Sequence, residues 1–341
     1  MKNILVTGGA GYIGSHTIVE LIHSGYNPII IDDFRNSDPL VLTGIGKITT
    51  EKPQVYTIDI CNKEALTKVF KENNIDGIIH FAAYKAVGES VAFPLKYYFN
   101  NLVSLTTILE CMLEFSLNNL VFSSSCTVYG EPIGIKEVTE DSPKAKPSSP
   151  YGNSKLISEN IIEDTFNANP ELKTICLRYF NPVGAHPSGL IGELPQGKPN
   201  NLLPFVTQTA MGKHEKLTVF GNDYPTEDGT CIRDYVHVVD LAKAHVKAIN
   251  YLENKSEGLN EAINIGTGKG SSVLEIIQKF EKISNQKLNW QFGERRSGDV
   301  IEIFANAKKS LEKLNWKAEL TVDDAIKDAW NWENTLKNLN L

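Results

Sequence analysis

Short continuous apolar runs that close on polar or turn residues recur along the chain, and between them apolar residues return every three to four positions. Residues 2–7 (Lys2-Asn3-Ile4-Leu5-Val6-Thr7) form the first run and pass directly into a glycine cluster and an amphipathic pattern that lasts to about Ser24. The second run, Pro28-Ile29-Ile30-Ile31, closes on Asp32-Asp33. Further runs lie at 55–59, 77–81, 120–124 and 174–179, with helical patterns at 63–72, 94–115 and 151–167. Runs this short and this apolar read as strands buried on both faces. Their alternation with helices predicts an α/β fold on a Rossmann-type, doubly wound parallel sheet. In such sheets ligands bind just past the carboxyl ends of the strands.

After Asn181 the pattern gives way to Pro/Gly-rich connections: Asn181-Pro182-Val183-Gly184, His186-Pro187-Ser188-Gly189 and residues 194–200. They mark the start of a smaller C-terminal α/β lobe. The expected division is 1–180 plus roughly 235–266 for the first lobe, and 181–234 with 267–341 for the second. The tail 307–341 reads as helical and amphipathic, with Trp316, Trp330 and Trp332 as packing residues.

The glycines after the first strand carry the first chemistry. Gly8, Gly11 and Gly14 provide a tight turn, a close backbone approach to a pyrophosphate and helix-on-strand packing, and the helix start offers unpaired N–H groups to an anion. Asp32, at the end of the second strand, is placed to accept from an adenosine 2′-hydroxyl and to repel a 2′-phosphate, which favours NAD over NADP. Arg35 is a nearby counter-charge that pulls the other way.

A second constellation follows in Ser125-Cys126-Thr127-Val128-Tyr129-Gly130 and Tyr151-Gly152-Asn153-Ser154-Lys155. Tyr151 and Lys155 share one helix face. A phenol titrates near ~10, and a positive charge ~6 Å away at an effective dielectric of ~20 is worth roughly 3 kcal/mol, or about two pK units. Tyr151 is thereby expected to serve as a base toward a sugar hydroxyl while the carbon loses hydride to a nicotinamide, with Ser125 on the same oxygen. Alone, a Tyr and a Lys four apart also fit an ordinary helix surface; the glycine turn gives the pair its weight.

Composition narrows the partners. Of 341 residues, 41% are hydrophobic and 22% charged, an ordinary globular balance. The net charge of −7 and the lack of any basic block argue against nucleic acid or an anionic membrane, so an anionic substrate must be met by local arginines. Cys61, Cys111, Cys126, Cys176 and Cys231 are widely spaced without CxxC or His-rich companions, so no metal is expected and they read as reduced residues of a cytoplasmic protein. A chain that opens on a strand, with no signal-like region and no apolar run long enough to span a bilayer, agrees.

Four longer stretches carry a resemblance over nearly all of the chain: Val6 to His16, Lys85-Ala86-Val87-Gly88-Glu89-Ser90, Leu177 to Pro187, and Phe220 to Thr230. The chain resembles the UDP-glucose 4-epimerases, galactose-pathway enzymes of the extended short-chain dehydrogenase/reductase family. The first stretch and the YxxxK identify only the superfamily; the other three are far more specific. The resemblance implies an NAD-binding Rossmann lobe and a UDP-sugar-binding lobe. It places NAD against Gly8, Gly11, Tyr12, Ile13 and Gly14, against Asp32, Asn36 and Ser37 at the ribose, and against Asp59 and Ile60 at the adenine. Phe81, Ala82, Lys85, Asn100, Ser125, Tyr151, Lys155 and Phe180 complete the cleft.

For the UDP-sugar it implies Ser125, Tyr151, Asn181, Asn201, Leu202, Thr218, Val219, Phe220, Arg233, Arg296 and Asp299. Arginine forks at Arg233 and Arg296 suit a diphosphate, although either also fits a surface ion pair. The reaction implied is oxidation at C4 to a transient 4-keto sugar, rotation of that sugar, and return of the hydride to the other face. Ile303, four residues beyond Asp299, is expected against the sugar's 2-substituent, intermediate between a closed and an open pocket; it also fits a plain core position. A homodimer on helical segments 97–115 and 156–166 is common among such enzymes. Rival readings are a 4,6-dehydratase or decarboxylase and a non-catalytic NAD-binding regulator. The dehydratase needs a carboxylate where this chain has Cys126-Thr127, and the regulator has no use for an intact Ser125, Tyr151 and Lys155.

Overall fold

The computed structural model describes residues 1–132, 134–296 and 300–339. Seven parallel strands form one sheet, in the order Leu259–Ile265, Lys173–Tyr179, Asn119–Ser125, Gly77–His80, Asn3–Thr7, Asn27–Ile31, Gln54–Tyr56. The first strand pairs with Gly77–His80 on one side and Asn27–Ile31 on the other, so the winding reverses beside it. That reversal is the topological switch point at which doubly wound sheets bind ligands. Ile4, Leu5, Val6, Ile30, Ile78, Ile79, Leu120 and Val121 are all fully buried, as strands covered on both faces require. The run at 55–59 is strand only over Gln54–Tyr56. The Asp59 carboxylate accepts from the Cys61 backbone N–H at 2.9 Å, which turns the chain out of the sheet edge.

Helices Tyr12–His23, Lys63–Glu72, Pro94–Glu114 and Pro150–Ala168 cover the sheet and match the apolar periodicity. Helix Leu40–Thr49 was illegible because it carries Gly44 and Gly46 and lacks an acidic first turn. Gly44 is required there, since a Cβ would stand 2.3 Å from the Leu190 carbonyl oxygen. The remaining strands form smaller sheets. Ser271–Ser272, Ile232–Arg233, Glu302–Ala305 and Glu137–Val138 make one; Tyr235–His237 pairs with Asn181–Val183, and Trp290–Gly293 with Leu217–Phe220. A separate apolar core joins helices Leu202–Ala210, Val273–Ser284 and Val322–Asn338.

The tail is two helices, Lys308–Leu314 and Val322–Asn338. Trp316 and Trp332 are buried, and Trp330 meets Phe280 edge-on at 5.4 Å. Leu314 and Trp316 pack into the core of the large sheet, so part of the tail covers the first lobe. Among the described residues no helix is long and apolar enough to cross a membrane.

Candidate active site

The glycine turn is built without spare room. Gly8 has φ +69°, and a Cβ on it would lie 2.9 Å from the Ala82 nitrogen; one on Gly14 would lie 2.2 Å from the Gly8 oxygen. Helix Tyr12–His23 starts with Gly11 as N-cap and no side-chain cap, which leaves the N–H groups of its first turn facing outward. An uncapped helix start in a glycine cradle fits a pyrophosphate.

Asp32 follows the second strand, where its Oδ2 accepts from Ala10 N at 3.0 Å and its Oδ1 from Phe34 N at 3.0 Å and Ser37 Oγ at 2.7 Å. Oδ1 thus has both lone pairs engaged, and Oδ2 keeps one for a ribose hydroxyl. Arg35 is not offered to a 2′-phosphate, because its guanidinium is held by Asp33 and by Asp59, the latter at 2.6 Å. Asn36 is exposed on the same loop, and Ile60 is buried under Asp59. These groups fit NAD in place of NADP. Phe81 and Ala82 hang from the first strand through Thr7, with Phe81 N donating to the Thr7 carbonyl at 3.0 Å. Asn100 projects from helix Pro94–Glu114 and donates to Asn101 Oδ1 at 3.1 Å.

Ser125 ends its strand buried, and Tyr151 sits in the first turn of helix Pro150–Ala168. Ser149 caps that helix by accepting from Gly152 N at 3.2 Å, and Pro150 presets its first turn. The Ser125 hydroxyl faces the Tyr151 phenol and favours its ionised form. Lys155 is 3% exposed; its Nζ donates to the Ser123 carbonyl at 2.6 Å and lies 6.0 Å from the Tyr151 ring centre.

The expected lowering of the phenol by Lys155 is not delivered by the chain alone. Burial pushes Tyr151 up to about 12 against the opposing pull of the Ser125 hydroxyl. Lys155 is itself driven down to about 7 by burial, so much of its charge is absent at neutral pH. His80, beneath the pair, is held at about 3 by burial and stays neutral, bonded through Nδ1 to Thr7 Oγ1 at 2.7 Å. The Cys126 thiol is pushed up to about 12, which leaves it unreactive beside Ser125.

Phe180 is buried just past strand Lys173–Tyr179, and Asn181 opens the next short strand. Asn201 stands at the N-cap position of helix Leu202–Ala210 without a side-chain cap bond, and Leu202 begins the helix. Thr218, Val219 and Phe220 lie on one short strand, with Val219 buried and the Phe220 ring 44% exposed beneath the Arg296 guanidinium at 5.3 Å. Arg233 pairs in register with Ile303, and Ile303 is buried beside Phe180 and Val128. Asp299 lies outside the described residues.

Three contributors escaped the sequence. Glu193 accepts from Lys85 Nζ at 3.0 Å and Asn201 Nδ2 at 2.7 Å, tying a residue of each expected half of the cleft together. Asn101 brackets Tyr84 through both backbone atoms and donates to Ser154 Oγ at 3.1 Å, fixing the loop of Lys85 to the Tyr151 helix. Thr127 Oγ1 donates to Ser125 Oγ at 3.0 Å. Only Thr127, two residues from Ser125, had a local signal. Among the described residues no group of three or more His, Cys, Asp or Glu is arranged to hold a metal ion.

The comparisons with known proteins agree along the length. A UDP-glucose 4-epimerase of Dictyostelium discoideum is 49% identical, covering 98% of this chain and 96% of its own. One from Bacillus subtilis (strain 168) is also 49% identical, over 98% of each. A crystal structure of the Bifidobacterium longum UDP-glucose 4-epimerase, in complex with NAD+ and UDP, superposes with a TM-score of 0.95 at 45% identity, covering 99% of both chains. Residues 4–266, which include the glycine turn, Ser125 and the Tyr151–Lys155 pair, match a single family description, and the chain belongs to the NAD-dependent epimerase/dehydratase family.

Proposed function

We infer that this chain interconverts UDP-galactose and UDP-glucose through a transient 4-keto sugar with bound NAD, a reaction of galactose metabolism. The observation that carries the reading is the meeting of the Tyr151 phenol, Ser125 hydroxyl and Lys155 ammonium at the carboxyl edge of the sheet, one strand removed from the glycine turn. The slot before Val128-Tyr129-Gly130 holds no carboxylate, which disfavours elimination.

Bound NAD supplies the oxidant for C4 and a positive ring charge beside the phenol. In the proposed site Gly8, Gly11 and the first turn of helix Tyr12–His23 hold the pyrophosphate, and Asp32 with Ser37 holds the ribose. Tyr151 takes the proton of the sugar 4-hydroxyl, Ser125 fixes that oxygen, and Lys155 compensates the phenolate. When the keto oxygen regains a proton, Tyr151 returns it. Asn181, Asn201 and Leu202, strand residues Thr218 to Phe220, Arg233 and Arg296 anchor the nucleotide. The sugar stays loosely held, and a sugar that must present both faces requires that asymmetry.

The cofactor lobe is assigned residues 1–180 and roughly 235–266, with helix Lys308–Leu314 packed against it; the remainder carries the substrate. Ile303 is placed against the sugar 2-substituent, which predicts some turnover of N-acetylhexosamine nucleotides, lost in Ile303→Tyr. An unaltered acetylated-substrate rate in that variant would count against the placement. A homodimer is supported by Leu95 and Phe99, 80% and 68% exposed, on helix Pro94–Glu114 beside Val91 and Phe93. Tyr97, by contrast, is fully buried within its own chain. The free thiols of all five cysteines fit a cytoplasmic setting.

The test is to incubate purified protein with UDP-galactose and no added NAD and to follow the sugar signals by proton NMR. Appearance of UDP-glucose is expected; no conversion even with NAD supplied overturns the assignment.

A further inference from the structure

The helix of Tyr151 and Lys155 carries another buried polar side chain that no step above uses. Glu159 follows Lys155 by one turn, and both of its carboxylate oxygens are engaged. Its Oε1 accepts from Ser124 Oγ at 2.6 Å and Arg178 Nε at 2.9 Å; its Oε2 accepts from Arg178 Nη2 at 2.8 Å and Lys144 Nζ at 3.0 Å. Arg178 is buried as well and spends Nη1 on Tyr129 Oη and the Glu140 carbonyl, both at 3.1 Å.

Three consecutive residues of strand Asn119–Ser125 thus grip one helix. Ser123 accepts from Lys155 through its carbonyl, Ser124 donates to Glu159, and Ser125 meets Tyr151. The middle grip sets the register of the other two. A buried hydrogen bond to a charged group is roughly twice as strong as one between neutral groups, enough to hold a helix against sliding along a strand.

The same carboxylate matters electrostatically. Lys155 faces Tyr151 and Glu159 on its own helix, His80 from strand Gly77–His80, Cys176 from strand Lys173–Tyr179, and the Phe122 ring at 4.8 Å. Burial lowers the Lys155 ammonium, with Cys176 and Glu159 pulling the other way. Burial also pushes the Cys176 thiol up, so it carries no charge near neutral pH, and His80 is neutral. Glu159 is then the full negative charge at Lys155, and it also screens Lys155 from Arg178 and Lys144.

We propose that Glu159 is a positioning residue for the reaction: through Ser124 it locks the Tyr151–Lys155 helix to strand Asn119–Ser125, and its carboxylate is the counter-charge that supports the charged form of Lys155. The assignment rests on Tyr151 and Lys155 being the proton-handling pair. The experiment measures kcat and KM for UDP-galactose across pH, NAD content and thermal melting for the intact holoenzyme and its variants. Glu159→Gln is expected to lower kcat about tenfold or more with KM within about threefold, and to move the alkaline limb of kcat, where Lys155 loses its proton, down by about one pH unit.

Ser124→Ala keeps the charges and cuts the tie, so kcat falls and the limb stays. Because Glu159→Gln strands a buried guanidinium and can unfold the chain, Glu159→Met combined with Arg178→Met supplies a fold-compatible apolar pair. It is expected to show the same downward limb shift at smaller size. A folded, NAD-retaining Glu159 variant with the wild-type limb overturns the charge role, and unchanged kcat in Ser124→Ala overturns the locking role. Wild-type turnover in Tyr151→Phe would instead remove the underlying pair, independently of Glu159.

Discussion

Tyr151 is a base that its own chain does not ionise. Burial holds the phenol at about 12, while a partly discharged Lys155 and a neutral His80 offer little to oppose it. The missing influence is the positive charge of bound nicotinamide, which couples ionisation to cofactor occupancy. One tyrosine is therefore expected to titrate lower in NAD-loaded protein than in stripped protein. Near-ultraviolet phenolate absorbance reads this directly, and Tyr151→Phe should abolish the difference. The same variant should retain NAD yet lose turnover by roughly 10²–10⁴, as removal of a general base does; near-full turnover would refute the role. The pair was legible because its spacing is local. Its electrostatics were not, since desolvation depends on the sheet and helices that close over it.

Helix Tyr12–His23 can approach its strand only because positions 8 and 14 lack side chains. Gly14→Ala puts a methyl 2.2 Å from the Gly8 oxygen and must push helix from turn. The expected result is protein purified with little NAD, assayed by the nucleotide released on denaturation; a full complement would show the cradle to be looser than described. The neighbouring elements show what periodicity can reveal. Lys63–Glu72 matched its apolar spacing residue for residue, whereas the apolar residues of Pro94–Glu114 split between two destinations that spacing cannot separate. Tyr97 went to the core and Leu95 and Phe99 to the surface. Phe99→Glu should accordingly yield monomers in sedimentation analysis with the fold intact, and a variant still dimeric would move the interface elsewhere. Glu193 and Asn101 act between segments distant in sequence, which is why no local motif announced them.

For the whole molecule, burying neutral histidines ties stability to pH. His16 and His80 are held at about 3 and His245 at about 4, each chiefly by burial, against 6.5 when exposed. Above pH 6.5 these rings are neutral folded or unfolded and cost nothing. As pH falls, the unfolded chain takes protons that the folded chain refuses, so their contribution to stability is lost progressively and levels off below about 3. Urea midpoints should therefore fall from neutral pH toward about pH 4, and His16→Gln should flatten the slope. A flat wild-type profile would contradict the burial of these rings as neutral species.

In the proposed reaction C4 is inverted by oxidation and return of its own hydrogen within a cofactor that never leaves. Converting UDP-galactose in deuterium oxide without added NAD, and examining C4 of the UDP-glucose formed by NMR, tests it most directly. Protium should be retained at C4 in essentially every product molecule. Deuterium at C4 would mean exchange with solvent and would contradict it.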